Sequence, residues 1–568
     1  MVQAKPIPIG IEFYKEMIDN GYYYIDKTLL IRDILAQKNK VTLFTRPRRF
    51  GKTLAQSMLQ AYFEKEILPD GTVIDNSKYF HGKKIMEAGG EFTSHMGQYP
   101  VIFLSLKSAK QPSYKAAYEK TRDAIIYEYF RHRYLLEGED LLPVQKKNYL
   151  SFMEGTASPE EYATSIQFLS QCLEQYHGQK TIILIDEYDV PLENSYFRGF
   201  YNEMADFVRS LFESALKTNT SLGFAVVTGC LRISRESIFT GLNNLKVVSV
   251  LDNSYSEHFG FTQEETSGML AFYGLQDKTD EVKLWYDGYL FGSTEVYNPW
   301  SLINYTDDIV QKNTCFPKPY WSNTSSNSIV RDLIENADDV TRGELEELVA
   351  GRTIEKPVHE DITYGDIYES QDNLWNFLFF TGYLKAVGKR FENRKIYLSM
   401  KIPNEEILYI YENKIQNWMQ HKIECEDLSG LVTAFEEGDC DSASDIITGQ
   451  LIDTISFYDY KEDYYHGFLA GLLKNNKKYL VKSNRESGLG RYDIVLKTPR
   501  IRRGRAIILE LKTASNINDL EKGCENALEQ IERLHYDHDI INEGYTDITK
   551  YGICFYKKEC LVMLEAHQ

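Results

Sequence analysis

Five short apolar runs, separated mostly by helical patterns, constrain the fold of this chain more than any other feature. They are KVTLFT (Lys40–Thr45), PVIFLSL (Pro100–Leu106), TIILI (Thr181–Ile185), LGFAVVT (Leu222–Thr228) and LKVVSVL (Leu245–Leu251). None shows the apolar–polar alternation of a strand with one wet face. Near-continuous apolar strands alternating with helices predict a parallel sheet covered on both faces, which places the N-terminal part in the α/β class. At 568 residues the chain exceeds what a single core sustains, so two to four domains are expected.

The first run leads into R-P-R-R-F-G-K-T (Arg46–Thr53) and then an Ala/Leu/Met-rich helix. A strand, a basic turn and a helix N-terminus can cradle phosphate, because backbone N–H groups point out of the turn. Lys52 would reach the β- and γ-phosphates of a nucleotide, and the Thr53 hydroxyl would hold Mg²⁺. Gly51 is the glycine before that lysine, while Arg46 stands where the G-x-x-x-x-G-K-[ST] pattern has its first glycine. Arg46 and Arg49 join Gly51, Lys52 and Thr53 as candidate nucleotide-binding residues. A chance basic turn is the competing reading.

The third run ends in D-E-Y-D, so Asp186 sits at the C-terminal end of an apolar strand, where open α/β sheets bind ligands. Asp186 is the second candidate Mg²⁺ ligand, and Glu187 the candidate general base for an attacking water. A helix cap would explain the same acidic pair. The fourth run places Thr228 at a γ-phosphate-sensing position, with Arg232 or Arg235 just beyond it; surface salt bridges explain those arginines equally well.

Near the C-terminus, G-R-Y-D-I-V-L and A-I-I-L-E-L-K-T read as a hairpin bringing Asp493 beside Glu510 and Lys512. The two-residue period of a strand points Glu510 and Lys512 to one face. Two carboxylates and a lysine are what metal-dependent phosphodiester hydrolysis requires: the acids hold Mg²⁺ and the lysine positions water or stabilises charge. Glu486 is a further candidate metal ligand. Helices are expected over Tyr458–Lys474 and Asp519–Tyr536, and a last strand over Tyr551–Tyr556.

The domain limits expected from these patterns are 1–305 for the P-loop unit and 306–423 for a helical, winged-helix-like middle region with a hairpin turning at Glu392–Arg394. A polar, acidic linker follows over 424–444, and an α/β unit over 445–568.

Across nearly its whole length the chain resembles the AAA-ATPase-like proteins of bacteria and archaea that carry a C-terminal PD-(D/E)XK nuclease-like domain. The resemblance rests on YYYIDKT (Tyr22–Thr28), RPRRFGKTL, LIDEYD, HFGFT (His258–Thr262), WYDGY (Trp285–Tyr289), YNPWS (Tyr297–Ser301), FTGYL and GRYD…ELK. It implies that the arginine-led loop is a family trait. It also implies a restriction-endonuclease-like fold for the C-terminal unit, with D…E-x-K as its core, and Gln530 and Tyr536 as the Gln…Tyr pair seen in several nucleases of that superfamily. The aromatics Trp285, Tyr286, Tyr297 and Trp300 are expected to pack a turn rather than stack a base.

The expected function is ATP binding and hydrolysis coupled to a metal-dependent nuclease acting on DNA or RNA, with ATP and Mg²⁺ as cofactors. The alternative is a nucleotide-dependent switch or scaffold that grips nucleic acid without cutting; a P-loop kinase is disfavoured by Glu187. A net charge of -19 opposes nucleic-acid contact, but Lys474–Lys512 holds twelve Lys or Arg against three acids and makes the C-terminal unit the expected contact. Eight scattered cysteines without C-x-x-C spacing, no long apolar segment and no signal-peptide pattern lead to a cytoplasmic, non-membrane expectation and leave homo-oligomers open.

Overall fold

The computed structural model describes residues 5–68, 70–231, 238–239, 243–312, 316–323, 330, 338–358, 370–425, 429–452, 462–474, 476, 478–487, 490–501 and 504–565. Two compact units emerge, Met1–Ser325 with Thr353–Tyr409, and Ser326–Arg352 with Ile410–Gln568. The stretch 306–423, expected as one region, therefore contributes to both.

All five apolar runs form strands: β1 (Val41–Thr45), β4 (Val101–Ser105), β5 (Thr181–Asp186), β6 (Leu222–Gly229) and β7 (Leu245–Val248), with a small ribbon, β2 (Glu66–Ile67) and β3 (Val73–Ile74), between the first two. They make one parallel sheet in the order β4-β5-β6-β1-β7. Every residue of β1 and β5 is buried, as strands covered on both faces require. Each fully buried aliphatic side chain there contributes about 1.5–3 kcal/mol. Gln56, on the helix Lys52–Phe63, is itself buried and donates to the carbonyls of Ile185 (3.2 Å) and Val226 (3.1 Å), fastening that helix to two strands.

The motifs of unknown role knit this unit together. Lys27 of YYYIDKT pairs with Glu265, and His258 of HFGFT meets Asp33 at 2.7 Å. A small antiparallel sheet joins β8 (Phe261–Thr262), β9 (Tyr289–Phe291) and β10 (Thr294–Tyr297). Tyr286 and Tyr297 are buried in its apolar cluster and Trp285 packs against it, so these aromatics pack as expected, but from the end of the helix Thr279–Tyr286 and from β10 rather than from a turn. The buried Glu406 carboxylate accepts from Ser301 Oγ (2.7 Å) and Trp321 N–H (2.8 Å); burial pushes its pKa up to about 8. A second antiparallel sheet comprises β11 (Ile354–Val358), β12 (Lys385–Glu392) and β13 (Lys395–Lys401), with the helix Gln371–Thr381 beside it. Its hairpin turns through Asn393 and Arg394, both left-handed, which is the two-residue geometry that right-twisted strands favour.

In the second unit, β14 (Leu480–Ser487), β15 (Gly490–Lys497), β16 (Arg505–Thr513), β17 (Asp547–Tyr556) and β18 (Glu559–Leu564) lie in sequence order, parallel between β16 and β17 and antiparallel elsewhere. Strand alternation sorts the side chains. Ile494, Leu496, Ile507, Leu509 and Leu511 pack with helical residues such as Leu431, Phe435 and Leu469, whereas Val495, Ala506 and Ile508 pack with Ile531 and Tyr536 on the other face. The stretch 424–444 is not the linker expected from its polarity. Ser429–Glu437 and the start of Cys440–Ile452 are helical, and Leu431, Phe435 and Ala443 are buried in this core. Its acids obscured a helical apolar stripe. The helix expected from Tyr458 is seen over Glu462–Lys474, residues 458–461 lying outside the described ones.

No helix among the described residues is long and apolar enough to cross a membrane.

The helix Leu520–Arg533 packs closely on β17 at Gly552, where an added Cβ would lie 2.3 Å from the Cys524 carbonyl oxygen and 3.0 Å from Leu528 Cγ. Backbone cannot yield as a side-chain tip can. Gly552→Ala is expected to destabilise the transition that includes β17 by about 1–3 kcal/mol in urea unfolding of the full chain. An unchanged midpoint would contradict this packing.

Candidate functional site

The first site forms where β1, β5 and β6 end together. The Asp186 carboxylate, fully buried, accepts from the Thr53 hydroxyl at 2.7 Å and from the Thr228 hydroxyl at 2.6 Å. Three residues separated by up to 175 positions thus converge at the C-terminal ends of the sheet's inner strands. Lys52 is buried beside them, its ammonium donating to the carbonyls of Arg46 (3.0 Å) and Pro47 (2.9 Å) and lying 3.6 Å from the Cys230 sulfur. Gly51 caps the helix N-terminus at φ 81, a left-handed conformation suited to glycine, and a Cβ there would meet nothing within 4 Å.

Glu187, directly after the strand, also takes a left-handed backbone (φ 53), which costs a residue other than glycine about 1–2 kcal/mol. Such strain persists only where the surroundings enforce it. Burial raises the Glu187 pKa, opposed by the Lys52 charge. Asp189 steadies the far side by accepting from the N–H groups of Cys230 (2.7 Å) and Leu231 (3.2 Å).

Gly51, Lys52, Thr53, Glu187 and Asp189 line a cavity of about 670 Å³, whereas Asp186 and Thr228 are buried and do not form part of its wall. Its loop end is lined by Arg48, Arg49, Gly51, Lys52, Thr53 and Glu187, while Tyr23, Tyr24, Ile25, Phe261 and Met269 make an apolar end. Lys107 and Lys110, absent from the sequence expectation, also line it. Only their position after β4, next to the strand bearing Asp186, could have flagged them.

Arg46 is the expected nucleotide-binding residue that the structure moves elsewhere. Its side chain is fully buried and absent from the cavity wall. Nη1 donates to the carbonyls of Thr45 (2.9 Å) and Val248 (3.0 Å), and the guanidinium lies 5.3 Å from the Phe259 ring centre and 5.0 Å from that of Phe291. Burial lowers its pKa to about 9. It is a strut joining β1, β7 and the small sheet, so the loop's first position serves packing. Arg232, like Arg235, lies outside the described residues.

The second site lies on the face of β15 and β16 that meets the helix Leu520–Arg533. Asp493 Oδ2 accepts from the Leu511 N–H at 2.8 Å, which ties its strand to that of Glu510 and Lys512. Glu510 is 1% exposed; its Oε1 accepts from Gln530 and lies 3.3 Å from the Lys512 ammonium, and Gln530 Nε2 also donates to Tyr536 Oη at 3.1 Å. Glu510 Oε2 is buried with no hydrogen-bond partner among the described residues. Burial, reinforced by Asp493 and opposed by Lys512, pushes the Glu510 pKa up to about 8. The sequence reading missed His466, whose Nε2 lies 3.0 Å from the Asp493 carbonyl oxygen; a lone histidine on a helix gave no signal.

The side chain of Glu486 lies outside the described residues. Among the described residues no three His, Cys, Asp or Glu side chains form a ready-made metal cage. The basic island is also partly neutralised: Lys478, Lys497 and Arg505 pair with Glu436, Glu543 and Asp547.

Comparison with known proteins locates both sites inside recognised domains. Residues 8–239 match the family model of a predicted AAA-ATPase, and residues 460–565 match that of the PD-(D/E)XK nuclease superfamily. The chain is also 28% identical over 340 residues to a protein of Azotobacter chroococcum mcd 1 described as "Uncharacterized protein in vnfD 5'region". That similarity covers 59% of this chain and 57% of the relative, so the chain spans little more than half the length of the relative it matches. The chain thus carries an AAA-ATPase-like domain over residues 8–239 and a PD-(D/E)XK nuclease superfamily domain over residues 460–565.

Proposed function

We propose that this protein binds and hydrolyses ATP at the first site and that the second site is a metal-dependent nuclease acting on DNA or RNA. The observation that carries the first half is the Asp186 carboxylate held by Thr53 and Thr228 beside the Lys52 loop. Those residues fit a nucleotide with Mg²⁺: a hydroxyl and a carboxylate are hard oxygen donors, and the open space before Gly51 leaves room for a phosphate against the helix N-terminus. Thr53 and Asp186 would hold the ion, which when bound neutralises charge on the β- and γ-phosphates. Lys52 turns from its own loop carbonyls toward the phosphates. Glu187 orients the attacking water and accepts its proton, while Thr228 senses the terminal phosphate. The aromatic end of the cavity takes the base and ribose.

At the second site, Asp493 and Glu510 would hold Mg²⁺, which supplies a charge that activates water. The orphaned Glu510 Oε2 supports that fit, because a buried acceptor without a donor is costly unless a cation serves it. Gln530 orients Glu510, and Lys512 stabilises charge on the reacting phosphate. In the second reading the C-terminal domain grips nucleic acid without cutting.

Two variants test the ATPase together. Lys52→Ala should lose ATP binding by calorimetry, and Glu187→Gln should keep binding yet turn over at least about tenfold more slowly. Unchanged affinity in the first, or unchanged turnover in the second, refutes that residue's role.

The three residues of the nuclease site should fail differently. Asp493→Ala and Glu510→Ala should weaken metal binding and abolish cleavage of DNA and RNA substrates, whereas Lys512→Ala should keep metal and lose about tenfold or more in rate. Equal cutting by the carboxylate variants and the parent removes the assignment. Metal and nucleic-acid binding without cutting selects the second reading.

Metal affinity should also depend on pH. With its pKa near 8, Glu510 is protonated and neutral below that value, so cation binding must displace a proton. Mn²⁺ affinity by calorimetry is expected to rise between pH 6.5 and 8, by up to about tenfold per unit, and then level off. Glu510→Gln should lose the slope, and a flat profile in the parent contradicts this protonation state.

A further inference from the structure

Of the four aromatics in the WYDGY and YNPWS motifs, Trp300 differs from the rest. It is half-buried, lines the cavity, and lies under the guanidinium of Arg49 at 3.9 Å from ring centre to Cζ. Its indole N–H reaches the Tyr320 carbonyl at 3.4 Å, which orients the ring without occupying its face. Arg49 belongs to the same loop as Gly51, Lys52 and Thr53 and lines the same wall. Its backbone is left-handed (φ 71), a conformation that arginine adopts only under constraint.

Arg49 is exposed, and no carboxylate pairs with it among the described residues. Arg48 next to it is committed to Glu193. Glu187 and Glu12 nonetheless act on Arg49 through space, so its charge sits within electrostatic range of the group placed to orient water. A planar guanidinium on an aromatic face is held weakly at an exposed position, whereas the same fork meets phosphate oxygens with two charge-assisted hydrogen bonds.

We propose that Arg49 is a further terminal-phosphate contact of this site beside Lys52 and Thr228, supplied by the phosphate-binding loop itself, and that it exchanges between the Trp300 ring and ATP. Trp300 is its holding residue: it keeps the guanidinium beside the cavity and, as the second residue of the helix Pro299–Lys312, carries the exchange into that helix. The inference rests on the ATP reading of the site. It predicts discrimination between ATP and ADP, because the terminal phosphate that Arg49 would meet is absent from ADP, and it gives the one tryptophan of these motifs that lines the cavity a role beyond packing.

The test uses the full chain, with Mg²⁺-ATP and Mg²⁺-ADP titrated in parallel by calorimetry and by tryptophan emission. ATP should change the emission of the parent more than ADP does, and Trp300→Leu should remove that difference while binding ATP at least as tightly, since the competing partner is gone. Arg49→Ala should lose the emission change and weaken ATP binding by about tenfold or more, with ADP affected much less. Arg49→Lys keeps the charge but not the planar stack, and should restore part of the ATP affinity without the emission signal. ATP binding with Trp300 silent, or equal ATP and ADP affinities in Arg49→Ala and the parent, overturns the inference and leaves the ATP reading standing. Absence of calorimetric ATP binding by the parent overturns both.

Discussion

The Asp186 carboxylate is the point on which the first unit's site depends. It is fully buried at the end of β5 and is satisfied by two hydroxyls, one on the helix after β1 and one on β6. A buried carboxylate without such donors would be costly, so the hydrogen bonds require the three elements to end in register. The parallel order β5-β6-β1 makes that register available, since parallel strands bring like ends together. The same arrangement leaves Glu187, one residue further on, to turn out toward the cavity.

The three described arginines of the loop divide the work of a charged turn. Arg46 is withdrawn into the core between Phe259 and Phe291, where carbonyls and aromatic faces take the place of solvent. Arg48 is paired with Glu193, and Arg49 rests on Trp300 at the cavity wall. One residue type at closely spaced positions therefore acts as strut, tether and exposed cation. The difference lies in what each meets, and the HFGFT, WYDGY and YNPWS motifs supply much of it: Phe259 and Gly260 back the loop, Gly260 within 3.1 Å of Phe50 were it to carry a Cβ, and Trp300 flanks it.

The second unit reaches its site by a different device. Alternation along β15 and β16 sends Leu509 and Leu511 into one apolar cluster and leaves Glu510 and Lys512 on the face of the helix Leu520–Arg533. Gln530 and Tyr536 then close over Glu510, which isolates the carboxyl from water and raises its pKa. The same burial leaves Glu510 Oε2 without a donor among the described residues.

The sequence by itself determined the features that local periodicity and short-range chemistry control. The five sheet strands, the loop between Thr45 and Lys52, the acidic end of β5 and the hairpin bearing Asp493 and Glu510 all follow from runs, turns and two-residue alternation within about twenty positions. Tertiary structure alone decided the destinations of side chains whose partners lie far along the chain. Arg46 met Val248 and Phe291 rather than phosphate, Trp300 met Arg49, and His466 met the Asp493 backbone. The acidic stretch 424–444 likewise became core because the sheet offered its few apolar residues a surface, which its own composition could not reveal. Polarity and period are written locally, whereas the free energy of burying a charge or an aromatic face depends on what the fold brings against it.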